Sequence, residues 1–466
     1  MQKPCQLYFL PIGGTAMAPL AGLMHESGLA VCGVDSILYP PMSELLAELG
    51  IPVRLGFDPA AIPEGIDQVV IGNALPRSNP EVQAVLARGL PFTSQAAALG
   101  ERFCRPARTV VVAGTHGKTT TTALCAHIFT GCGLDPTVLI GGVPCGGRPW
   151  RLGRGGWTVV EGDEYNTAFF DKEPKFLHYY PHFFVVGNVE FDHGDIFPNL
   201  DAIVAAFHAG TALVGEHGAV VANFGDAGAR TVAADHPRVV WYGHERGADL
   251  RCLGWGHADG RLVASLAWRG TTFSIAAPLV GLHNLDNVMA ACTCALLAGL
   301  DPQAVDAALR SFGGVRRRLE VVGEIGGVTV VDDFAHHPTA VRLTLEGARC
   351  RFGNRRIVAV FEPRSLTAGR PVFAQAYEEA LLAADLALVA PVFHRHRLGA
   401  ADVLDRDAVV RNVRRRGGQA VAIPEETDIL TTVRACLRPN DVVICMSSGD
   451  FGGLPRHLLE LLRDER

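Results

Sequence analysis

Lys118 and Thr119 stand at the end of a glycine-framed run, Gly114-Thr115-His116-Gly117-Lys118-Thr119-Thr120. Residues of these types in this order handle phosphate. The glycines let backbone N–H groups close around phosphate oxygens, Lys118 adds a full positive charge, and a threonine hydroxyl is a ligand for Mg²⁺. The spacing, G-x-x-G-K-T-T, is about two residues shorter than the usual Walker A loop. A glycine turn before a surface lysine would look the same in isolation. Here the run sits between an apolar, β-branched segment starting at Val110 and a helical pattern reaching Phe129. A helix beginning at Lys118 also points its positive end at the same anion. A nucleoside triphosphate is therefore the expected ligand.

Other side chains extend that chemistry. Glu161, in the run EGDE, is the expected second ligand of a Mg²⁺ shared with Thr119, because a hard cation wants oxygen donors. His193 gains weight from Asn188 and Asp192 beside it, and would hold a second ion or orient a substrate carboxylate. Arg316-Arg317-Arg318 follows Gly313-Gly314. It reads either as a solvated charge run or as a hinge-borne guanidinium delivered to phosphates bound by the preceding domain. Asp332-Asp333 and His336-His337 collect acids and imidazoles at a spacing that fits no common zinc pattern. Near the start, Gly13-Gly14-Thr15 precede Asp35 by roughly twenty residues, as in a nucleotide-binding βαβ unit, although the full G-x-G-x-x-G is missing. A UDP-type ligand, a dinucleotide and a plain tight turn all remain compatible with those four residues.

Elements must bring these groups to one rim. Leu7 to Leu10 reads as a strand, about Ala16 to Ser27 as a helix, and Leu29 to Val34 as a second strand. Trp157 to Val160 ends at Glu161, and Phe183 to Val186 leads into Asn188. In open α/β sheets ligands bind beyond the carboxyl ends of strands, so these polar residues converge. Between them, residues 141–156 are too rich in Gly and Arg for a core element and read as a mobile loop. From Val239 to Ala277 the pattern alternates, with Asp259-Gly260 and Arg269-Gly270 as turns, which predicts a small antiparallel meander. Asn284 and Asn287 then share one face of a helix. Strand ends recur at Asp332-Asp333, at Glu362-Pro363-Arg364 and at Ser447, as in a second doubly wound sheet.

The totals set bounds. A chain of 466 residues exceeds one ordinary core, so several domains are expected. A net charge of −6 leaves no Lys/Arg excess to displace counterions from a nucleic acid, so no nucleic-acid partner is expected. No apolar stretch approaches the length of a membrane span, and the N-terminus lacks a leader pattern. Twelve cysteines without a C-x-x-C pair read as reduced thiols, so the expected location is cytoplasmic. The sequence is silent on oligomeric state.

Taken together, GTHGKTTT (114–121), EGDE (161–164), NVEFDHGD (188–195), HNLDN (283–287), GVRRRLE (314–320) and DDFAHHPTAV (332–341) resemble the Mur ligase family of peptidoglycan enzymes. The resemblance covers nearly the whole chain and implies an α/β protein of three domains. These would be a Rossmann-like UDP-sugar domain over residues 1–106, a central P-loop ATPase domain over 107–313, and a Rossmann-like C-terminal domain for the amine substrate over 314–466. The central domain would carry a mostly parallel sheet plus a small antiparallel one. The resemblance assigns Lys118, Glu161, His193 and Arg318 to catalysis. ATP would be held by residues 114–120 with Asn284, Asn287, Arg318 and Asp333, and Mg²⁺ by Thr119 and Glu161, with His193 at a second metal site. Gly13, Gly14, Thr15 and Asp35 would bind the UDP-sugar, and Arg364 and Ser447 the peptide.

Within the family, YPPMS (39–43), EYNTAFFDK (164–172), EFDHGDIFP (190–198), FEPRS (361–365) and MSSGDFGG (446–453) are similar to the members that join a tripeptide, L-alanyl-γ-D-glutamyl-meso-diaminopimelate, to UDP-N-acetylmuramic acid. The sequence departs from that pattern at Asn166, where Asp is expected, and at Leu366 and Ser448, where Asn is. Members that add a single L-alanine share the ATP motifs and are the alternative. A catalytically silent nucleotide-binding regulator would have lost the Lys, Glu or Arg, all of which are present.

Overall fold

Apolar runs broken by glycine turns fold into three main sheets, formed in turn along the chain. The computed structural model describes residues 6–194 and 196–464. Asp195, the last residue of the NVEFDHGD run, lies outside the described residues, as do residues 1–5 of the expected first domain and 465–466 of the third.

The first sheet has five parallel strands in the order Val53–Leu55, Ala30–Asp35, Gln6–Leu10, Gln68–Ile71, Phe92–Ser94. Strands buried on both faces read as continuous apolar runs, and Leu7 to Leu10 are all buried. The turn at Gly13-Gly14 follows, and helix Met17–Glu26 begins just beyond it.

The second sheet has ten strands. Strand Arg108–Ala113 lies between Pro181–Val186 and Trp157–Glu161, parallel to both. Its β-branched residues are buried from Thr109 onward, and helix Lys118–Gly131 packs over them together with helix Leu282–Leu297. The expected antiparallel meander exists as Leu250–Ala258, Arg261–Trp268 and Thr271–Ala277. It extends the parallel sheet, because Tyr242 and Gly243 of strand Val239–Gly243 pair in parallel with Leu250 and Arg251.

The third sheet runs in the order Glu320–Ile325, Val328–Asp333, Val442–Met446, Ile357–Phe361, Leu386–Val389, Ala420–Ala422. Only its first pair is antiparallel. Among the described residues no helix is long and apolar enough to cross a membrane.

One expectation is corrected. Residues 141–156 form a strap instead of a mobile loop. Trp150 is 4% exposed and pairs, within Trp150–Arg151, with strand Thr137–Leu139. Its ring lies on Gly22 of the first helix, where a Cβ would come within 2.5 Å of it. Arg148 reaches Glu26 and Glu48, each at 3.2 Å. At its other end Cys145 N–H donates to Gly314 O at 3.0 Å, and Arg316 N–H to Val143 O at 2.9 Å. The glycines and arginines signal solvent by composition, but one large aromatic side chain and backbone pairing at both ends hold the segment down.

Candidate active site

The phosphate loop takes its shape from its own glycines and from the end of the neighbouring strand. Gly114 and Gly117 have φ of 137° and 79°, a region that side chains with a Cβ rarely enter. A Cβ at Gly117 would also meet Asn287 Oδ1 at 2.4 Å. Thr115 N–H donates to Asn188 O at 2.9 Å and His116 N–H to Asn188 Oδ1 at 2.7 Å. Gly117 caps helix Lys118–Gly131 without offering a side-chain acceptor, so the first helical N–H groups are left for a ligand.

Two charged groups flank that helix end. In the first, Lys118 Nζ donates to Gly114 O at 2.8 Å and lies 2.9 and 3.1 Å from the two oxygens of Glu164. Glu164 Oε1 also sits 3.0 Å from His193 Nε2. Burial pushes the Glu164 carboxyl up, but Lys118 and then His193 outweigh it and hold the group at about 2. Burial likewise pulls Lys118 and His193 down, while the facing carboxylates, Glu164 foremost, leave both above their ordinary values. The lysine stays cationic.

In the second group, Thr119 Oγ1 donates to Glu161 Oε1 at 2.9 Å, and Glu161 Oε2 accepts Gly141 N–H at 2.9 Å. Arg318 Nη2 comes from the third sheet's leading segment, 199 positions along the chain, and donates to Thr119 Oγ1 at 3.1 Å. Burial raises the Glu161 carboxyl, the charge of Asp163 adds to it, and Lys118 and Arg318 oppose it. Asp333 faces Arg318 electrostatically and accepts N–H bonds from Leu319 at 2.6 Å and Ala335 at 2.8 Å.

The remaining expected positions divide. Asn287 Oδ1 accepts from Thr121 Oγ1 at 3.1 Å and its amide donates to Asn284 Oδ1 at 3.2 Å, so this pair abuts the phosphate-loop helix. Thr120 is buried on the same first turn. Gly13 N–H donates to Asp35 Oδ2 at 2.8 Å, and Gly14 and Thr15 are exposed beside it. Arg364 lies 3.4 Å from Glu362 and 3.2 Å from Asp450, and Ser447 Oγ donates to Glu362 Oε2 at 2.6 Å. Among the described residues no hydrogen bond or ion pair joins either of these last two groups to the phosphate loop.

Several residues of the site escaped the sequence reading. Glu164 lies three places after Glu161 in EGDE, and its place as the last acid of that motif was its signal. Glu190 accepts Thr339 Oγ1–H at 2.7 Å, and its Oε2 lies 3.2 Å from His116 Nε2 and 3.7 Å from His337 Nδ1. His337 Nδ1 already accepts Thr339 N–H and its Nε2 faces Phe191 O, both at 3.3 Å, so its ring is engaged in a hydrogen-bonded joint. Thr367 Oγ1 accepts Gly194 N–H at 3.2 Å, and Arg370 donates to Gly194 O at 3.3 Å. The loop carrying His193 is thus gripped by two segments of the third sheet. His193 itself has φ of 54°, an uncommon conformation that such contacts sustain.

The uncapped helix end, the glycine cradle and the cationic Lys118 fit a polyphosphate. The Thr119 and Glu161 oxygens fit a hard divalent cation.

The chain is similar to known proteins over nearly its whole length. Residues 6–105 match "Mur ligase family, catalytic domain", 170–295 "Mur ligase middle domain", and 317–449 "Mur ligase, glutamate ligase domain". The UDP-N-acetylmuramate–L-alanyl-gamma-D-glutamyl-meso-2,6-diaminoheptandioate ligase of Escherichia coli K12 is 37% identical, over 98% of both chains. The chain belongs to the Mur ligase family. As a Mur ligase it is an ATP-dependent enzyme that forms carbon–nitrogen bonds. A crystal structure of a murein peptide ligase from Psychrobacter arcticus 273-4 superimposes with a TM-score of 0.74 at 30% identity, covering 98% of each chain. Single-residue Mur ligases are also similar. The UDP-N-acetylmuramate–L-alanine ligase of Symbiobacterium thermophilum is 33% identical over 99% of this chain and 96% of its own.

Proposed function

We propose that this Mur ligase joins L-alanyl-γ-D-glutamyl-meso-diaminopimelate to UDP-N-acetylmuramic acid, consuming ATP, in peptidoglycan recycling in the cytoplasm. The observation that carries the ligase chemistry is the Arg318–Thr119 contact, which puts a guanidinium from the third sheet against the phosphate loop. The choice of amine rests on the 37% identity to the E. coli ligase named for that peptide.

Residues 1–106 hold the UDP-sugar, with Gly13, Gly14, Thr15 and Asp35 around the turn. Residues 107–313 bind ATP, and 314–466 supply Arg318, Asp333 and the peptide contacts Arg364 and Ser447. The γ-phosphoryl group passes to the muramoyl carboxylate, giving an acyl phosphate, and the alanine amine displaces phosphate. Lys118 and the helix N–H groups stabilise the negative charge that develops during transfer. Arg318 does the same from the other side and helps exclude water, which would hydrolyse the activated carboxylate. Thr119 and Glu161 are the residues that would hold Mg²⁺, which neutralises phosphate charge when bound. Glu164 fixes the direction of both Lys118 and His193, and His193 orients the acceptor side.

The test is ADP release with UDP-N-acetylmuramic acid and ATP. The tripeptide should drive it far better than free L-alanine, and the reverse preference would make this the alanine-adding member. Lys118→Ala and Glu161→Ala should each abolish ADP release and leave UDP-sugar binding intact. Retained turnover in either would sink the assignment.

A further inference from the structure

Beyond the carboxyl ends of strands Leu386–Val389 and Ala420–Ala422 lies a cleft of about 690 Å³, within the range of small-ligand sites. Leu398 and Leu404 give it an apolar wall, and Arg395, Arg406, Asp407 and Glu425 bring charges of both signs to it. These charges are only loosely committed to one another. Arg395 lies 2.7 Å from Glu425, but the two side chains are 63% and 55% exposed, and an exposed pair is easily exchanged for a ligand's groups. Arg406 donates to Ile423 O at 2.7 Å, while its Nε lies 3.4 Å from Asp407.

The loops that line the cleft pack against the segment that carries Arg364 and Arg370. Arg364 stacks over the Phe393 ring at 4.0 Å, on the loop that supplies the cleft's first wall. Leu404 N–H donates to Gly369 O at 2.8 Å, and the next residue, Arg370, holds Gly194 beside His193. The segment between cleft and centre thus touches both, Leu404 on one side and Gly194 on the other.

We propose that the cleft binds the distal, zwitterionic end of the peptide, with Arg395 and Arg406 facing free carboxylate and Asp407 and Glu425 facing ammonium. This rests on the peptide-ligase reading, since a single alanine would end at the reaction centre. The cleft would then select the third residue of the peptide.

Steady-state ADP release by the full chain, with ATP and UDP-N-acetylmuramic acid saturating, compares the tripeptide with the dipeptide L-alanyl-γ-D-glutamate, which lacks the third residue. Arg395→Gln and Arg406→Gln should each raise KM for the tripeptide about tenfold, the cost of losing a charge-assisted hydrogen bond, with dipeptide kinetics unchanged. Arg395 is exposed, so its variant tests the cleft even if Arg406→Gln folds poorly. An unchanged tripeptide KM in Arg395→Gln, or an equal rise for both peptides, overturns the cleft assignment alone. A wild-type enzyme that prefers free L-alanine to both peptides overturns the reading beneath it.

Discussion

Glu164 holds Lys118 and His193 with one carboxylate, and that makes it testable by pH. Its folded value of about 2 lies below the ordinary value near 4.3. A depressed carboxylate stabilises the fold fully above its unfolded pKa, and that contribution is lost as pH falls through the folded value. Glu164→Gln should therefore cost about 3 kcal/mol at pH 7, and the gap to wild type in urea unfolding should close between about pH 4.5 and 2. A gap independent of pH would rule out the ion-pair role. At this scale Lys118, Thr119 and Glu161 were legible because phosphate chemistry restricts residue type at each place, and Arg318 was singled out from its triplet by the family resemblance. Glu164 was less so, because an acid in a run of acids does not announce its partner. The Glu190–Thr339 bond was not legible, since 149 positions separate its members and nothing in either run names the other as its partner.

Helices and strands near the centre followed from periodicity, and the turns followed from glycine. The strap over residues 141–156 did not. Its composition is that of solvent-exposed chain, and the lone counter-signal was Trp150, a large ring among small residues. Trp150→Ala should cost roughly 3–5 kcal/mol in urea unfolding, as large-to-small changes at packed aromatics do. A loss below about 1 kcal/mol would mean that the ring is not anchoring the strap. The loop that bears His193 offers a second test at the level of elements. Thr367→Val removes the acceptor for Gly194 N–H while keeping the shape of the side chain. It should lower kcat about tenfold with little change in KM for ATP, because the loop is mispositioned and the phosphate loop is not. An unchanged kcat would show that Arg370 alone holds the turn.

Across the whole molecule, three sheets are made in succession, and the third meets the second at the N-terminal end of helix Lys118–Gly131. That succession was legible from strand ends that recur in polar residues. The joining of the meander to the central sheet was not, because the pairing of Tyr242 with Leu250 depends on strand direction, which alternation does not encode. Arg318 bridges the third sheet to the second, so nucleotide should tighten that junction. ATP with UDP-sugar should slow tryptic cleavage after Arg316 to Arg318 severalfold in the wild type. Arg318→Ala, which keeps the other two cleavage sites, should lose that protection when fragments are followed by mass spectrometry. Equal protection in both would place the closing contact elsewhere.

The strap also dictates how this protein can be recombined with its relatives. The Gly313-Gly314 junction looks like the natural place to exchange one C-terminal domain for another. Yet Cys145 bonds Gly314, Val143 bonds Arg316 and Trp150 rests on Gly22, so the segment that seats the incoming domain is encoded far upstream and already spoken for by the first sheet. A chimaera cut only at the hinge inherits a mismatched collar. One that carries residues 141–156 together with the C-terminal domain, and the surface around Gly22 with them, keeps all three seams from a single parent.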